Sequence, residues 1–380
     1  MKDRLLCVCK NILGKMLYNS YMQYDYSPLD STVTLVDVNN LKKAYGLEVS
    51  ETTKIAIIVL FCLFVGPIIF FIFFVLLSII VGLIFRDARS AIAPIVFILL
   101  VIALIILGIT QYVKNQKKAW EQKVRIYRFA KANNLSFNIS ADGPSYSGMI
   151  FNIGNSRQAE DILGSKSADF IFEIANYNYT ETHGSDESRY TDRHNYGYIM
   201  VDLNKKLPHM VLDAKSNNVS VFKQSISNLP TTFDKAQVLS LEGDFDKYFK
   251  LYAPKEYERD ALYILSPDLM AVLIDHSGQF DVEIVDDKMF VYSSTYFNFS
   301  DIESVKKLFK IIEIVGKKII HQSNNYSDER ISTKSIDAVS VPGQRLRSRI
   351  PLLIAIGIIS IALTISVFGF LLPLIMTGIL

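Results

Sequence analysis

The segment ADFIFEIANYNY, from Ala168 to Tyr179, decides the fold of the central part of the chain because apolar and polar residues alternate along it. Its apolar residues at every second position are Phe170, Phe172 and Ile174. A period of two places such side chains on one face of a β-strand. The segment YGYIMVDL, from Tyr196 to Leu203, alternates in the same way. The two segments predict a β-hairpin joined by a polar loop from Glu181 to Asn195.

Further strands and two helices are predicted around this hairpin. Apolar-rich stretches indicate strands at 209–213, 238–242, 248–252, 280–285 and 289–293. Ser266 followed by Pro267 predicts the start of one helix, and Ser300 with Glu303 predicts a capping box at the start of another. The predicted fold class is therefore α+β, with a mostly antiparallel sheet that is covered by helices.

Three long apolar runs without a charged residue flank or precede this region, at 55–85, 91–113 and 350–380. A helix needs roughly 20 apolar residues to cross a bilayer. We therefore predict three transmembrane helices, in addition to the soluble head. The predicted domains are an N-terminal cytoplasmic segment (1–54), two transmembrane helices (55–113), the soluble α+β head (114–337), a basic linker (338–349) and a C-terminal transmembrane helix (350–380).

The distribution of basic residues predicts the side of the membrane on which the head lies. Lysines and arginines follow the second apolar run and precede the third, and basic residues near the ends of spans favour the cytoplasm. The expected location is a bacterial cell membrane, crossed several times, with the head in the cytoplasm and the lipid bilayer as a partner. Beyond these flanks the head is acidic, which argues against nucleic acid as a partner.

The predicted hairpin loop is the first candidate site for a ligand or a protein partner. Imidazoles and carboxylates are denser there than elsewhere in the head. The candidate residues are His183, Asp186, Glu187, Asp192, Arg193 and His194. A solvated hairpin tip is the alternative interpretation, because polar loops usually serve only to connect strands.

The segment LEGDFDKYF, from Leu241 to Phe249, contains the second candidate. Glu242, Asp244 and Asp246 would share one face of an extended strand and form a carboxylate cluster. However, Gly243 favours a turn, which would separate the three side chains. The segment also lacks the series of oxygen ligands of an EF-hand loop.

No recognised catalytic or metal-binding pattern occurs in the sequence. The five histidines lack zinc-site spacing, and there is no Gly-rich phosphate loop, GxSxG turn or CxxC pair. We therefore assign no catalytic residue, no metal and no cofactor from sequence.

The segment LEGDFDKYFKLYAPKEYERDALYILSPDLMAVLID, followed by FDVEIVDDKMFVY, resembles the soluble region of uncharacterised bacterial membrane-anchored proteins that carry a domain of unknown function. This resemblance implies membrane anchoring and no established activity. The function that we expect is a membrane-anchored cytoplasmic binding or scaffolding protein with a protein partner or a small ligand. The alternatives are a membrane-tethered enzyme, such as a hydrolase, and a subunit of a larger membrane complex.

Overall fold

The computed structural model describes residues 24–47, 72, 73, 75, 76, 80, 89–184, 189–221, 224–241, 244–331 and 338–348. The chain divides into two compact units, one formed by residues 27–129 and the other by residues 1–26 together with 130–380. Each unit is described separately below.

In the unit of residues 27–129, a short helix is held to a long one by side-chain contacts. Helix α1 is Leu35–Ala44, and helix α2 is Arg89–Ala132, which extends past the end of this unit. Thr34 and Asp37 form a capping box at the start of α1. The Arg128 guanidinium lies 2.7 Å from the Asp37 carboxylate and donates to the Thr32 carbonyl at 2.8 Å. Arg128 therefore fixes the start of α1 against α2.

The predicted transmembrane helices are contradicted. Within the described ranges, no helix has both the length and the apolar character needed to cross a membrane. The second apolar run lies inside α2, which continues without a break into the charged sequence KNQKK. The third run and most of the first lie outside the described residues. For the described residues the prediction of transmembrane helices, and with it the description as a multi-pass protein, was wrong, because it took charge-free sequence alone as evidence of a span. The location in a bacterial cell membrane stays a prediction.

The second unit is built on an antiparallel sheet, as the predicted α+β class requires. Its strands β1 to β4 follow one another in sequence and in space. They are β1 (Leu135–Asp142), β2 (Asn155–Ser165), β3 (Phe172–His183) and β4 (Tyr190–Ala214). A separate two-stranded sheet consists of β5 (Val219–Val221) and β6 (Gln224–Ile226).

The long strand β4 is the centre of the main sheet. Strand β9 (Asp281–Ser293) pairs with β4 along most of its length, and the register shifts between Asp202 and Met210. Strand β8 (Phe249–Tyr252) pairs with the last residues of β4, and β7 (Val238–Leu239) pairs with β8. A single strand thus contacts β3, β8 and β9.

Helices alternate with strands β8 and β9 in the C-terminal half of the unit and continue after β9. They are α3 (Phe245–Tyr248), α4 (Glu258–Ile264), α5 (Pro267–Ser277), α6 (Ile302–Ile311), α7 (Lys317–Asn324) and α8 (Val341–Gln344). A π-helical turn, Ile312–Gly316, joins α6 to α7. Gly316 faces Val201 of β4 so closely that an added Cβ would lie 3.3 Å from the valine methyl. The π turn therefore packs directly on the sheet.

An aromatic cluster lies on a face formed by β3, β4 and β9. Phe151, from the segment between β1 and β2, is fully buried there. The rings within 5.3 Å of its own belong to Tyr146, Tyr177, Tyr198 and Phe290. Since aromatic side chains bury large areas, this cluster is a main source of stability for the sheet.

The structure corrects two local predictions. The polar loop predicted from Glu181 to Asn195 is shorter, because β3 continues to His183 and β4 already begins at Tyr190. The helix predicted from Ser300 is capped instead by Asp301, which accepts a hydrogen bond from the Ser304 N–H at 3.0 Å. In the hairpin, polar side chains concealed the strand ends, since an exposed strand has no apolar alternation. At the helix start, Ser300 and Asp301 are both common capping residues, and the sequence does not distinguish them.

Residues 338–348, within the predicted linker, are tied to α4 by a buried carboxylate. Asp328 accepts hydrogen bonds from the Tyr257 hydroxyl at 2.6 Å and from the Ser340 N–H at 2.9 Å. Arg330 lies 3.2 Å from the same carboxylate and stacks over the Tyr257 ring, 4.1 Å from its centroid. Burial raises the pKa of Asp328, but these hydrogen bonds outweigh burial and hold its pKa below the ordinary value.

Asp328→Asn is expected to lower the free energy of unfolding by roughly 1–3 kcal/mol at neutral pH, because hydrogen bonds to a charged group are lost. The folded-state pKa lies below the unfolded value of about 3.9, so the carboxylate stabilises the fold above that pH. This contribution disappears as the pH falls through the folded pKa. Urea denaturation at several pH values should show that the free energies of unfolding of Asp328→Asn and of the unchanged protein converge below about pH 4.

The exposed Asp268→Asn variant is the matched control for this pH series. Its free energy of unfolding should equal that of the unchanged protein at every pH. A constant gap between Asp328→Asn and the unchanged protein down to acid pH would contradict the assigned role of the carboxylate.

Candidate functional site

The β3–β4 hairpin forms an arm in which one strand edge has no partner. Its register runs from Phe172 opposite Val201 to His183 opposite Tyr190. On the other side of β4, pairing with β9 stops where Gly197 faces Ser293. From Tyr190 to Tyr196, β4 therefore pairs only with β3 among the described strands. An unpaired strand edge presents backbone N–H and C=O groups that can bind another extended chain.

A groove opens at the point where β9 leaves β4. Its volume is about 400 Å³. One side belongs to β4, and the other to the residues that follow β9. We call this the hairpin groove, and it is lined by Arg193, His194, Asn195, Tyr196, Ser294, Thr295 and Tyr296. Aromatic and arginine side chains of this kind contribute most of the binding energy in many protein interfaces.

His194 is held in a fixed position beside the groove. Its ring stacks on Tyr179 with centroids 4.8 Å apart, and Tyr179 stacks in turn on Tyr196 at 6.0 Å. The His194 Nε2 atom lies 3.2 Å from the Glu181 carboxylate. Packing and an ionisable neighbour therefore orient the imidazole before any ligand arrives.

Arg193 is an exposed and weakly paired arginine of the groove. Its side chain is 56% exposed, and its guanidinium lies 3.8 Å from Glu160, which is a long ion pair. The guanidinium also lies beside the hydroxyl of Tyr296. Surface ion pairs of this kind contribute little, about 0–1 kcal/mol, so an acidic partner group can replace Glu160 at low cost.

The structure brings together only part of the first predicted site. Arg193 and His194 line the groove, and His183 lies 3.8 Å from Asp192 farther along the arm. Asp186 and Glu187 lie outside the described residues. The groove residues from 294 to 296 were missed because they are distant in sequence and consist of ordinary polar and aromatic types.

The second predicted site is not a cluster in the part that the structure describes. Asp244 precedes α3 and pairs with Lys247 at 2.6 Å, whereas Asp246 accepts hydrogen bonds from Ser240 and from the Leu241 N–H. Glu242 lies outside the described residues. Since Asp244 caps α3 and Asp246 lies within it, these two carboxylates do not share the face of an extended strand.

A buried network joins β4, β9 and the C-terminal segment. Glu283 is fully buried and accepts hydrogen bonds from the Tyr292 hydroxyl at 2.7 Å and the Met149 N–H at 2.8 Å. The Leu346 N–H donates to His209 Nδ1, so the proton of the neutral imidazole is on Nε2, which donates to Glu283 at 2.9 Å. Both ring nitrogens are occupied inside the protein, and a general base must reach its substrate. We therefore interpret this network as structural.

A second buried group of side chains lies where β4 ends and β9 begins. Asp213 and Asp281 come from these adjacent strand ends, since Leu212 pairs with Val282. Burial and, to a smaller extent, the neighbouring Asp213 together raise the pKa of Asp281 to about 7. Burial also raises the pKa of Asp213. Sequence analysis missed this pair because each aspartate stands alone in an apolar strand.

The chain matches no family model. It also matches no curated protein. Comparison with solved structures pairs it with the crystal structure of the mycobacterial trehalose monomycolate transport factor A, at a TM-score of 0.30 and 9% sequence identity. The match covers 50% of this chain and 94% of the other. A TM-score of this size carries no argument about fold or function.

Proposed function

We propose that this protein is a binding protein that recognises an extended segment of a protein partner at the β3–β4 arm. The observation that carries the proposal is the edge of β4 from Tyr190 to Tyr196, which stays open where β9 ends and borders the hairpin groove. A peptide that lies along such an edge adds one strand to the sheet. Main-chain hydrogen bonds then provide affinity, and adjacent pockets provide specificity.

The side chains of the groove indicate the chemistry of the bound segment. Arg193 is exposed and weakly paired, so it favours an acidic side chain in the partner. Tyr196 and Tyr296 offer ring surfaces together with hydroxyl groups, which suit a neighbouring apolar or aromatic residue. We therefore expect the partner segment to combine an extended backbone with an acidic residue.

The test uses the full chain and linear peptides selected against it from a displayed library. Binding of the selected peptide is measured by fluorescence anisotropy. Arg193→Glu should weaken this binding at least about tenfold, which corresponds to 1.4 kcal/mol. Lys166→Glu makes the same charge reversal at an exposed position between β2 and β3, and it should leave the affinity unchanged.

Methylation of the peptide backbone tests strand addition separately from side-chain recognition. A strand at an edge turns alternate N–H groups toward the sheet. Two peptides are compared, one methylated at its odd-numbered backbone nitrogens and one at its even-numbered backbone nitrogens. Methylation of the nitrogens that face the sheet should abolish binding, and methylation of the others should have little effect. Equal affinities of the two methylated peptides, together with an unchanged affinity of the Arg193→Glu protein, would overturn the proposed function.

A further inference from the structure

The buried group at the ends of β4 and β9 contains oxygen atoms that lack partners. Asp213 is 2% exposed, yet its Oδ1 atom has no hydrogen bond. The side-chain oxygens of Asn217 and Asn228 are also shielded from solvent without a partner. A buried acceptor that is left without a donor costs about 1–3 kcal/mol, and folded proteins satisfy most such groups. Three unsatisfied oxygens in one group therefore need an explanation.

The two asparagine side chains contact a common carboxylate. The Asn217 amide nitrogen donates to Asp281 Oδ2 at 3.0 Å, and the Asn228 amide also contacts Asp281. The other oxygen of Asp281 accepts from the Ala214 N–H at 2.9 Å. Rotation of an asparagine amide by half a turn exchanges its oxygen and nitrogen at little steric cost, because the two atoms are similar in size. Either amide can thus present its oxygen beside Asp281.

No basic side chain neutralises the two aspartates. Lys215 and Lys250 are the nearest cations that act on Asp213. The Lys215 ammonium, however, donates to the Asp246 carbonyl, and the Lys250 ammonium lies over the Tyr252 ring, 5.0 Å from its centroid. Among the described residues, neither lysine forms a salt bridge with Asp213 or Asp281. Two buried carboxylates without a counter-charge are costly unless a cation or a proton joins them.

We propose that Asp213, Asp281, Asn217 and Asn228 form a binding site for a calcium ion. Calcium takes about six to eight oxygen ligands from carboxylates, amide carbonyls and water in a flexible geometry. Two carboxylates and two amide oxygens supply the protein part of such a shell, and water supplies the rest. Zinc would prefer imidazole or thiolate ligands, which this group lacks.

The amide ligands explain why the site differs from an ordinary acidic cluster. In the described part of the chain, no group of three or more His, Cys, Asp and Glu side chains is placed to hold a metal ion. Half of the proposed ligand residues are asparagines, which carry no charge. The site would also cross-link the end of β4, the start of β9 and the chain around β5 and β6. Calcium is therefore expected to stabilise the folded protein.

The full chain, stripped of metal with EDTA, is titrated with calcium chloride in a calorimeter, and its melting temperature is followed in parallel. Magnesium chloride and potassium chloride serve as cation controls. The heat of calcium binding should fit one saturable site, and calcium should raise the melting temperature of the protein. Asp281→Asn keeps an acceptor for the Ala214 N–H, and it should weaken calcium binding at least about tenfold. The exposed Asp142→Asn variant should bind calcium as the unchanged protein does.

Asn228→Ala is the second variant, because it removes an amide ligand and leaves both carboxylates in place. It should also weaken calcium binding and leave the fold intact in EDTA, as judged by circular dichroism. If calcium produces neither heat nor stabilisation, and Asp281→Asn is more stable than the unchanged protein, a shared proton holds the pair and the proposal is overturned. Equal affinity of Asn228→Ala and the unchanged protein would exclude the assigned ligand set.

Discussion

Glu283→Ala is expected to lower the free energy of unfolding by about 3–5 kcal/mol, because several donors lose their acceptor and each such loss costs about 1–3 kcal/mol. The substitution removes the acceptor of three buried donors, which belong to Tyr292, Met149 and His209. Each of them loses its hydrogen bond, and the hydrogen bonds from Tyr292 and His209 are fully buried. Chemical denaturation with guanidinium, followed by circular dichroism, measures the change.

Glu283→Gln provides the graded comparison, since its amide oxygen still accepts and its size is unchanged. It should destabilise the protein less than Glu283→Ala does. Glu258→Ala removes an exposed glutamate at the start of α4 and should change stability by less than about 0.5 kcal/mol. A loss at Glu283 no larger than that at Glu258 would show that the network does not hold the sheet to the C-terminal segment.

Phe151→Ala is expected to lower the free energy of unfolding by about 3–5 kcal/mol, which is the usual range for deleting a buried phenylalanine ring. The fully buried ring is surrounded by aromatic neighbours from three strands, so the space that it leaves cannot collapse easily. The same denaturation experiment measures this loss. The change should also increase the fluorescence of an apolar dye if the cluster becomes loosely packed.

The leucine of Phe151→Leu fills most of the volume of the phenylalanine ring. This variant should therefore lose clearly less free energy of unfolding than Phe151→Ala. Tyr190→Ala removes an aromatic ring that is 59% exposed on the arm, and it serves as the matched control. Similar stabilities of Phe151→Ala and Tyr190→Ala would contradict the central role of the cluster.

Local sequence patterns predicted the elements that have many buried apolar side chains. The strands around Phe172 and Tyr198 and the helix after Ser266 are of this kind, and the structure confirms them. The strand ends from Glu181 to His183 and from Tyr190 to Asn195 were predicted as a loop because most of their residues are exposed and carry no apolar signal. Their strand character comes from pairing with the neighbouring strand.

The candidate sites were less accessible to sequence reasoning because they join residues that are distant in the chain. The local density of ionisable groups identified Arg193 and His194. Tyr296 lies about 100 residues further along the chain, and only the fold brings it to the groove. Asp213 and Asp281 meet only because β4 and β9 pair. The carboxylates around Asp244 were conspicuous in sequence, yet Asp244 caps a short helix and Asp246 lies in its first turn, each with its own partners. Spacing along the chain therefore indicated the arm and missed the buried acidic pair.

The position of β4 has a consequence for the order of folding. Strands β1 to β4 pair with sequence neighbours, whereas β9 joins β4 through distant contacts such as Gly197 with Ser293. Closing a long loop costs entropy before its contacts form, so we expect β9 to dock late. Until then the whole outer edge of β4 is open to other chains. The nascent protein is therefore most prone to aggregate during this interval.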